Sequence, residues 1–163
     1  ERIYDQQEYE KYILGSAEVV GLMCLKIFVC GDQESYEKLS YHAKKLGSAF
    51  QKINFLRDVS ADYNQLGRTY FPGIDLDNFT LVEKKEIELD IQKDFQEGYV
   101  GIRMLPRDVK FGVYLSYIYY LKLFDKIKCL KPEVILKKRI RISNIRKFLL
   151  MIRSFIQNKL NII

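Results

Sequence analysis

The sequence predicts an all-α fold, and three observations support that prediction. No segment alternates apolar and polar residues at the spacing of a half-buried strand, whereas long segments repeat apolar residues at helical spacing. The 163 residues include only three prolines and nine glycines, too few for a sandwich of short strands and tight turns. Nearly half of the residues (48%) are hydrophobic, which is enough for one domain with its own core.

The first helix is predicted at residues 7–29. Its polar start, DQQEYEK, places acids near the positive N-terminal end of the helix. The apolar stretch at residues 13–30 carries Glu18 and Lys26, and charges at such positions are costly in a bilayer. We therefore interpret this stretch as a buried helix rather than a membrane span.

Capping residues mark where the later helices begin. Asp32 is a candidate N-cap, and Pro106 suits a first helical turn. Thr80 and Glu83 form the capping-box pattern T-L-V-E. The later helices are predicted at residues 34–63, 80–99 and 106–128, from Pro132 onward, and at residues 143–160.

Basic residues are concentrated at the C-terminal end. Residues 131–163 contain nine Lys or Arg residues and one acid, Glu133, a net charge of +8; the whole chain carries +6, so residues 1–130 carry −2. Residues 143–163 are predicted to form a basic amphipathic helix, whose apolar stripe comprises Ile145, Phe148, Leu149, Ile152, Phe155 and Ile156. Two interpretations remain open: the stripe docks this helix onto the core, or the helix rests on an anionic lipid surface. The basic run lacks a recognised nucleic-acid-binding module, so no nucleic-acid partner is expected.

The cysteines and the start of the chain bear on its compartment. The three cysteines, Cys24, Cys30 and Cys129, are odd in number and not closely paired, which argues against a disulfide framework or a zinc knuckle. Buried thiols in a reducing cytosol are expected. The opening ERIYDQQEYEKY has no signal-peptide pattern. The expected localisation is cytoplasmic, with peripheral contact at the inner membrane face as the alternative.

A polar stripe runs along the second predicted helix, beside its apolar side when the residues are placed on a helical wheel. The stripe comprises Gly47, Gln51, Asn54, Asp58 and Asp62. The opposite side of this helix is predicted to face solvent, and it carries Lys38, His42, Lys45, Lys52 and Ser60.

The same spacing of two aspartates recurs in DIQKD, at Asp90 and Asp94. These acids gather with Glu83 and Glu86 on one side of the third predicted helix and lack amide neighbours. Acids at this spacing usually form a solvated helix face, and we assign this second pair to solvent. The first pair differs because amide side chains accompany it.

Two carboxylates and an amide oxygen are hard ligands that suit Mg²⁺ bridged to a diphosphate. Zinc prefers histidine or cysteine, and His42 lies away from the stripe. Arg57 and Arg68 can bind phosphate oxygens bidentately. The residues therefore predict a Mg²⁺–diphosphate site on the second helix.

Residues 46–72, LGSAFQKINFLRDVSADYNQLGRTYFP, closely resemble the second aspartate-rich motif of the squalene/phytoene synthase family. The matching positions are Leu46, Gly47, Ala49, Gln51, Asn54, Leu56, Arg57, Asp58, Asp62, Gly67, Arg68, Tyr70 and Pro72. Residues 12–23, YILGSAEVVGLM, resemble the family's other signature, and GSAEVVGLMCL is most similar to bacterial phytoene synthases.

The resemblance implies an all-α isoprenoid-synthase fold and a set of site residues. It implies catalytic roles for Tyr12, Gln51 and Tyr120, diphosphate binding by Asn54, Arg57, Arg68 and Arg139, and binding of Mg²⁺, or of Mn²⁺ in its place, by Asp58, Asp62 and Asn54. Tyr120 lies in YIYYLKLFDKI and Arg139 in KKRIRIS.

The implied activity is head-to-head condensation of two prenyl diphosphates, here two geranylgeranyl diphosphates to phytoene in carotenoid synthesis. Squalene or dehydrosqualene synthase, with farnesyl diphosphate and for squalene NADPH, remains open. Members of the family carry a first aspartate-rich motif on an earlier helix, and this sequence has none. We therefore interpret residues 1–163 as the C-terminal part of one domain, inactive without its N-terminal half. A non-catalytic remnant that needs a partner with the first motif is the alternative.

Overall fold

α-Helices make up most of the described part of the chain, which comprises residues 2–160 of a computed structural model. The long elements are α1 (Gln6–Ile13), a π-helical segment (Leu14–Glu18), α2 (Val19–Phe28), α3 (Gln33–Leu66), α4 (Leu81–Met104), α5 (Arg107–Lys128) and α7 (Asn144–Lys159). The short elements are β1 (Arg2–Ile3), β2 (Arg68–Thr69), a 3₁₀ turn (Leu76–Asn78) and α6 (Pro132–Ile135). β1 and β2 pair in parallel. The all-α prediction is confirmed.

The helix ends follow the caps that the sequence predicts. The Asp32 side chain accepts a hydrogen bond from the backbone N–H of Ser35, and Thr80 and Glu83 form a reciprocal capping box. The third predicted helix is too short, however, since α4 continues to Met104. Gly101 lies inside α4 rather than at its end. A Cβ at this position would lie 2.4 Å from the Cβ of His42 on α3. The absence of a side chain lets α4 pack closely against α3, and this packing outweighs the low helix propensity of glycine.

α3 is the central helix of the fold. Its buried residues Ile53 and Leu56 belong to the main apolar core, which also includes Ile91 and Phe95 of α4. A second, smaller core around Leu25 and Leu39 joins α2 to the N-terminal half of α3. Because α3 carries the predicted polar stripe, these packed neighbours fix the direction in which the stripe points.

Part of the charged side of α3 that the sequence assigns to solvent instead packs against α4: Lys52 is buried and Lys45 is half-buried, so the assignment is wrong there, whereas Lys38 is exposed as predicted. Asp94 is only 2% exposed, and it accepts hydrogen bonds from Lys52, Lys45 and Ser48 at 2.6, 2.9 and 2.8 Å. Lys52 also bonds to Asp90 at 2.5 Å. The assignment of Asp94 to solvent is therefore wrong too. The acids of α4 neutralise the lysines of α3 across the helix interface, and this pairing makes their burial tolerable.

The basic C-terminal helix α7 lies against α5, mostly through residues outside its apolar stripe, of which Phe155 packs edge-on against Phe111 of α5. The buried residue of α7 is Ser154, and the hydroxyl of Tyr119 on α5 donates to the backbone carbonyl of Lys147 at 2.8 Å. The six residues of the predicted stripe are all exposed. The helix is therefore docked on α5, as the first interpretation expects, but most of the stripe faces away from that contact.

The three cysteines are exposed, so the expectation of buried thiols is also wrong. Among residues 2–160, no helix combines the length and the apolar character that crossing a bilayer requires.

Candidate active site

An apolar cavity of about 750 Å³ runs along α3, between α2 and α5. This volume lies within the range of small-molecule sites. α3 contributes residues from Leu39 to Asn54 to its wall, and at 1.5 Å per residue this stretch is about 22 Å long. The apolar wall residues include Ala17, Val20, Leu25, Phe28, Ala43, Leu46, Phe50, Ile102, Leu105, Val109 and Val113.

Polar side chains from α3 and α5 meet at one end of this cavity. Gln51, Asn54 and Tyr120 all line it. The hydroxyl of Tyr120 donates to Oδ1 of Asn54 at 3.2 Å, and the Tyr120 ring stacks on Phe50 with the centroids 4.0 Å apart. The sequence predicts Gln51, Asn54 and Tyr120 as site residues, and the fold brings them together although 66 positions separate Asn54 from Tyr120.

Asp58 lies one helical turn beyond Asn54 and forms ion pairs with two arginines. The guanidinium of Arg57 contacts Asp58 at 2.5 Å, and Nε of Arg139 lies 2.6 Å from Asp58 Oδ1. Arg139 comes from the segment after α6, 81 positions along the chain. Two cations beside one half-buried carboxylate leave guanidinium donors available for a further anion.

Asp62 lies one further turn along α3. Partial burial and the neighbouring charge of Asp58 raise the pKa of Asp62, while Arg68, Arg139 and Arg57 oppose that rise. Within residues 2–160, no hydrogen bond or ion pair of the Asp62 side chain is found, and its backbone carbonyl accepts from the N–H of Gly67. A carboxylate that is both desolvated and close to a second carboxylate is stabilised by a bound cation.

Tyr12 and Arg68 lie beside this end of the cavity without lining it. Tyr12 packs in a ring cluster with Tyr4, Phe55 and Tyr70, its centroid 5.3 Å from that of Tyr70. The Tyr70 hydroxyl interacts with Arg68 and raises the pKa of that guanidinium. The structure therefore holds Arg68 near Asp62 through Tyr70, and Tyr12 supports the same cluster from α1.

The π-helical segment Leu14–Glu18 begins two residues after Tyr12 and packs on the start of the polar stripe. A Cβ at Gly47 would lie 2.6 Å from the backbone oxygen of Ala17, so only glycine allows this approach. π-Helical turns are rare and occur frequently at functional sites. The geometry of this segment determines the directions in which Tyr12, just before it, and the cavity residue Ala17, within it, point.

The comparisons with known proteins decide the family. The family model described as Squalene/phytoene synthase matches residues 1–146. The chain belongs to the squalene/phytoene synthase family. The helical fold described above is that of this family, and the match ends within the first turn of α7, so most of α7 lies outside the family pattern.

Individual relatives agree with this assignment. The chain is 38% identical over 92 residues to the 4,4'-diapophytoene synthase of Staphylococcus haemolyticus, covering 56% of this chain and 30% of that protein. It is 31% identical over 111 residues to the 15-cis-phytoene synthase of Synechococcus elongatus, covering 59% and 36%. It is 30% identical over 138 residues to the chloroplastic phytoene synthase 1 of Solanum lycopersicum, covering 74% and 32%. The chain thus spans about a third of the length of these relatives.

The residues of this squalene/phytoene synthase family member fit a divalent cation held jointly with a diphosphate. Among residues 2–160, no group of three or more His, Cys, Asp or Glu side chains could hold a metal by itself. Mg²⁺ does not require such a cage, because it usually keeps several waters and binds one or two carboxylates plus substrate phosphates. Asp62 and Asp58 would supply the carboxylates of such a site, and Asn54, one turn away, would add an amide oxygen.

Sequence reasoning missed the supporting residues of this site. The fold places Phe50 against Tyr120, and its aromatic side chain alone resembles an ordinary core residue. Tyr70 did match the motif, but its packing against Tyr12 could not be read from the motif. Gly47 did match the motif, but its close approach to Ala17 could not be read from the motif. A mid-helix glycine within an otherwise apolar segment was the one available signal for such a contact.

Proposed function

We propose that this chain forms one wall and the diphosphate-binding end of a site that condenses two geranylgeranyl diphosphates head to head to phytoene, with release of diphosphate. The observation that carries the proposal is the direct continuity between the polar end, at Asn54 and Tyr120, and the long apolar cavity along α3. A prenyl diphosphate has the same two parts, a charged head and a hydrocarbon tail.

The length of the cavity supports the C20 substrate. An extended chain advances about 1.2 Å per bond, as judged from the peptide backbone. A geranylgeranyl chain, with about 16 consecutive carbons, therefore reaches about 18 Å, and a farnesyl chain about 13 Å. The wall from Asn54 to Leu39 extends about 22 Å, which accommodates the longer chain. Squalene or dehydrosqualene synthase activity on farnesyl diphosphate, with NADPH for squalene, is the second candidate, since a relative is a diapophytoene synthase.

In the proposed reaction the polar residues act on the leaving diphosphate. Arg57 and Arg139, now paired with Asp58, exchange that carboxylate for diphosphate oxygens and stabilise the developing charge. Mg²⁺, when bound, would supply further charge neutralisation to the leaving diphosphate. Asp58, Asp62 and Asn54 are the residues that would hold it.

The apolar residues act on the allylic cation that the loss of diphosphate creates. Once the missing part of the enzyme covers it, the apolar wall would exclude water, which would otherwise quench the cation. The stacked rings of Phe50 and Tyr120 offer a π-face at the polar end, and such a face stabilises a desolvated cation by roughly 2 kcal/mol. The hydrogen bond to Asn54 fixes the orientation of the Tyr120 ring. Arg68, Gln51 and Tyr12 complete the proposed site.

A ligand-stabilisation experiment tests the metal–diphosphate part of the proposal. Mg²⁺ with inorganic pyrophosphate should raise the unfolding temperature of the full chain, and Asp62→Asn should abolish that rise. Asp90→Asn is the matched control. Like Asp62, Asp90 has a second aspartate one turn away, Asp94, but it lies at the interface between α3 and α4 and not in the proposed site. Equal responses of the two variants would contradict the proposed site.

A cavity-filling variant tests the chain length. Gly112 lines the cavity, and a Cβ there would meet no atom within 4 Å. It lies two turns of α5 from Tyr120, about 12 Å along the helix. Gly112→Leu should therefore weaken binding of geranylgeranyl diphosphate several-fold more than binding of farnesyl diphosphate. An equal effect on both substrates would refute the proposed direction of the tail.

Turnover decides between an enzyme and a non-catalytic part of one. The chain spans about a third of its relatives, so we propose that activity requires the missing N-terminal half of the same enzyme. Product analysis with C15 and C20 diphosphates, on the chain alone and on a protein extended upstream, separates the candidates. Turnover by the 163-residue chain alone, lost in Asp58→Asn, would show that no upstream half is needed.

A further inference from the structure

Two guanidinium groups hold the Asp58 carboxylate from opposite directions. Nε of Arg57 lies 3.1 Å from both carboxylate oxygens, and Nη2 of Arg57 lies 2.5 Å from Oδ2. Nε of Arg139 lies 2.6 Å from Oδ1, and its Nη2 lies 3.4 Å from Oδ2. A carboxylate has about four acceptor positions, and these contacts occupy them with charged donors. A metal ion can therefore bind Asp58 only after a guanidinium has moved away.

The packing of the segment after α6 fixes the contact between Arg139 and Asp58. The next residue, Ile140, is 3% exposed and belongs to the main apolar core. Its backbone N–H donates to the carbonyl of Arg57 at 3.4 Å, so the segment is attached to α3 at the residue before Asp58. The pairing therefore depends on core packing and on a backbone hydrogen bond between the two segments.

The charges at the polar end of the cavity favour an anion over a cation. Arg57, Arg68 and Arg139 contribute three positive charges, and Asp58 and Asp62 two negative ones, which leaves a net charge of +1. Burial and the charge of Asp58 raise the pKa of Asp62, and all three arginines oppose that rise, so the five charges lie close enough to act on one another. A diphosphate carries several negative charges, so its binding reverses the sign of this end and attracts a divalent cation.

We propose that Arg57 and Arg139 prevent Asp58 from binding a metal until a diphosphate binds, so that the site takes up Mg²⁺ and diphosphate together rather than either one alone. Diphosphate oxygens are bidentate partners for a guanidinium, and they can therefore replace the Asp58 carboxylate. The released carboxylate then becomes available to the cation. The coupling is reciprocal, so each ligand increases the affinity for the other by the same factor. This inference rests on the function proposed above and adds a control on when the metal binds.

Metal binding in the absence of any anion tests this block directly. Mn²⁺ is the probe, because electron paramagnetic resonance measures the free ion. Arg139→Gln should raise the affinity of the full chain for Mn²⁺ about tenfold, because Arg57 alone then holds Asp58, and adding Asp58→Asn should cancel the gain. Arg141→Gln is the matched control: it removes the same charge from the same segment, and within residues 2–160 the exposed Arg141 side chain has no ion pair. This control should change the affinity by less than about threefold, since salt screens exposed charges.

Pyrophosphate binding without metal gives a second test, in which the effect of one substitution reverses. With EDTA present, Asp58→Asn should bind pyrophosphate about tenfold more tightly than the unmodified chain, because both guanidiniums are then free for the anion. With Mg²⁺ present, the same variant should bind it more weakly, because one carboxylate for the metal is lost. Asp62→Asn removes an equal charge one turn away without releasing a guanidinium, so its metal-free gain should stay below about threefold. Isothermal titration calorimetry measures all of these affinities.

Two results would overturn the inference. The first is an Mn²⁺ affinity that Arg139→Gln leaves unchanged or lowers; Arg57→Gln carries the same prediction and replaces that variant if circular dichroism shows it unfolded. The second is metal-free binding of pyrophosphate by Asp58→Asn that is equal to or weaker than that of the unmodified chain. If Mg²⁺ with pyrophosphate still stabilises the unmodified chain, either result refutes only the block and leaves the proposed function in place. Absence of pyrophosphate and metal binding in the unmodified chain and in every variant would refute both.

Discussion

Replacing Asp94 by asparagine should destabilise the chain far more than the same change at Asp90, one turn away on α4. Lys52, only 9% exposed in its side chain, holds both carboxylates, at 2.6 Å for Asp94 and 2.5 Å for Asp90. The two differ in burial, because the Asp94 side chain is 3% exposed and that of Asp90 is 56% exposed. Both are aspartates of α4 that bind the same lysine, so the comparison isolates the effect of burial on stability.

The expected cost follows from the contacts of Asp94. Breaking a buried ion pair typically costs 3–5 kcal/mol, because the remaining charge stays buried. Lys52 keeps Asp90, so we place the free-energy loss for Asp94→Asn at about 3 kcal/mol, the lower end of that range. Asp90→Asn removes an exposed partner only, and the loss should be at most about 1 kcal/mol.

Urea unfolding followed by far-UV circular dichroism measures the difference. With a slope near 2 kcal/mol per molar urea, the midpoint for Asp94→Asn should fall by about 1.5 M relative to the unmodified chain. Replacing the pair together, as Lys52→Met with Asp94→Leu, should recover most of the loss, because no charge is then left buried. Equal losses for Asp94→Asn and Asp90→Asn would refute the argument.

The same pair has a defined pH dependence. Burial alone would raise the pKa of Asp94, but hydrogen bonds from Lys52 and Lys45 outweigh it and hold the pKa below the usual 3.8. An acid with a lowered folded-state pKa contributes stability that is present above its unfolded pKa and is lost as the pH falls through the folded value. The stability difference between the unmodified chain and Asp94→Asn should therefore be constant at neutral pH and shrink below about pH 4.

Three further predictions concern the candidate site. Without a cation the raised pKa of Asp62 means that this carboxyl takes up a proton more readily than an ordinary aspartate, so stabilisation by Mg²⁺ and pyrophosphate should weaken on acidification more steeply in the unmodified chain than any residual stabilisation of Asp62→Asn; equal pH dependences of the two would contradict this. Gly47→Ala should lower stability by about 1–3 kcal/mol, because the added methyl group would clash with the backbone of the π-helical segment that precedes α2. Gly112→Ala, in open space, should raise stability by up to about 1 kcal/mol. Urea midpoints that move in the same direction for both variants would exclude the proposed clash. Tyr120→Phe removes the hydrogen bond to Asn54 and should cost about 1 kcal/mol of stability, with pyrophosphate binding retained; loss of that binding would mean that the hydroxyl itself contacts the anion.

The sequence determined the helices, their caps and the identity of the polar stripe. These features depend on neighbours three or four positions apart, so Asp32, Thr80 and Glu83 could be recognised as caps, and Asn54, Asp58 and Asp62 as one stripe, without knowledge of the fold. The motif around these residues also carried the family resemblance, which the family match over residues 1–146 confirms.

Only the tertiary structure decided which charged sides are buried. A helical wheel shows that Lys52 and Asp94 lie on polar sides of their helices, but not that those two sides face each other. Once α3 and α4 pack, each charge becomes the partner that makes the other's burial tolerable, so two surfaces that look solvated in sequence form one interface. The same reason applies to α7. Its apolar stripe could have packed on the core, but Ser154 is the residue of α7 that is buried, and the stripe residues are exposed.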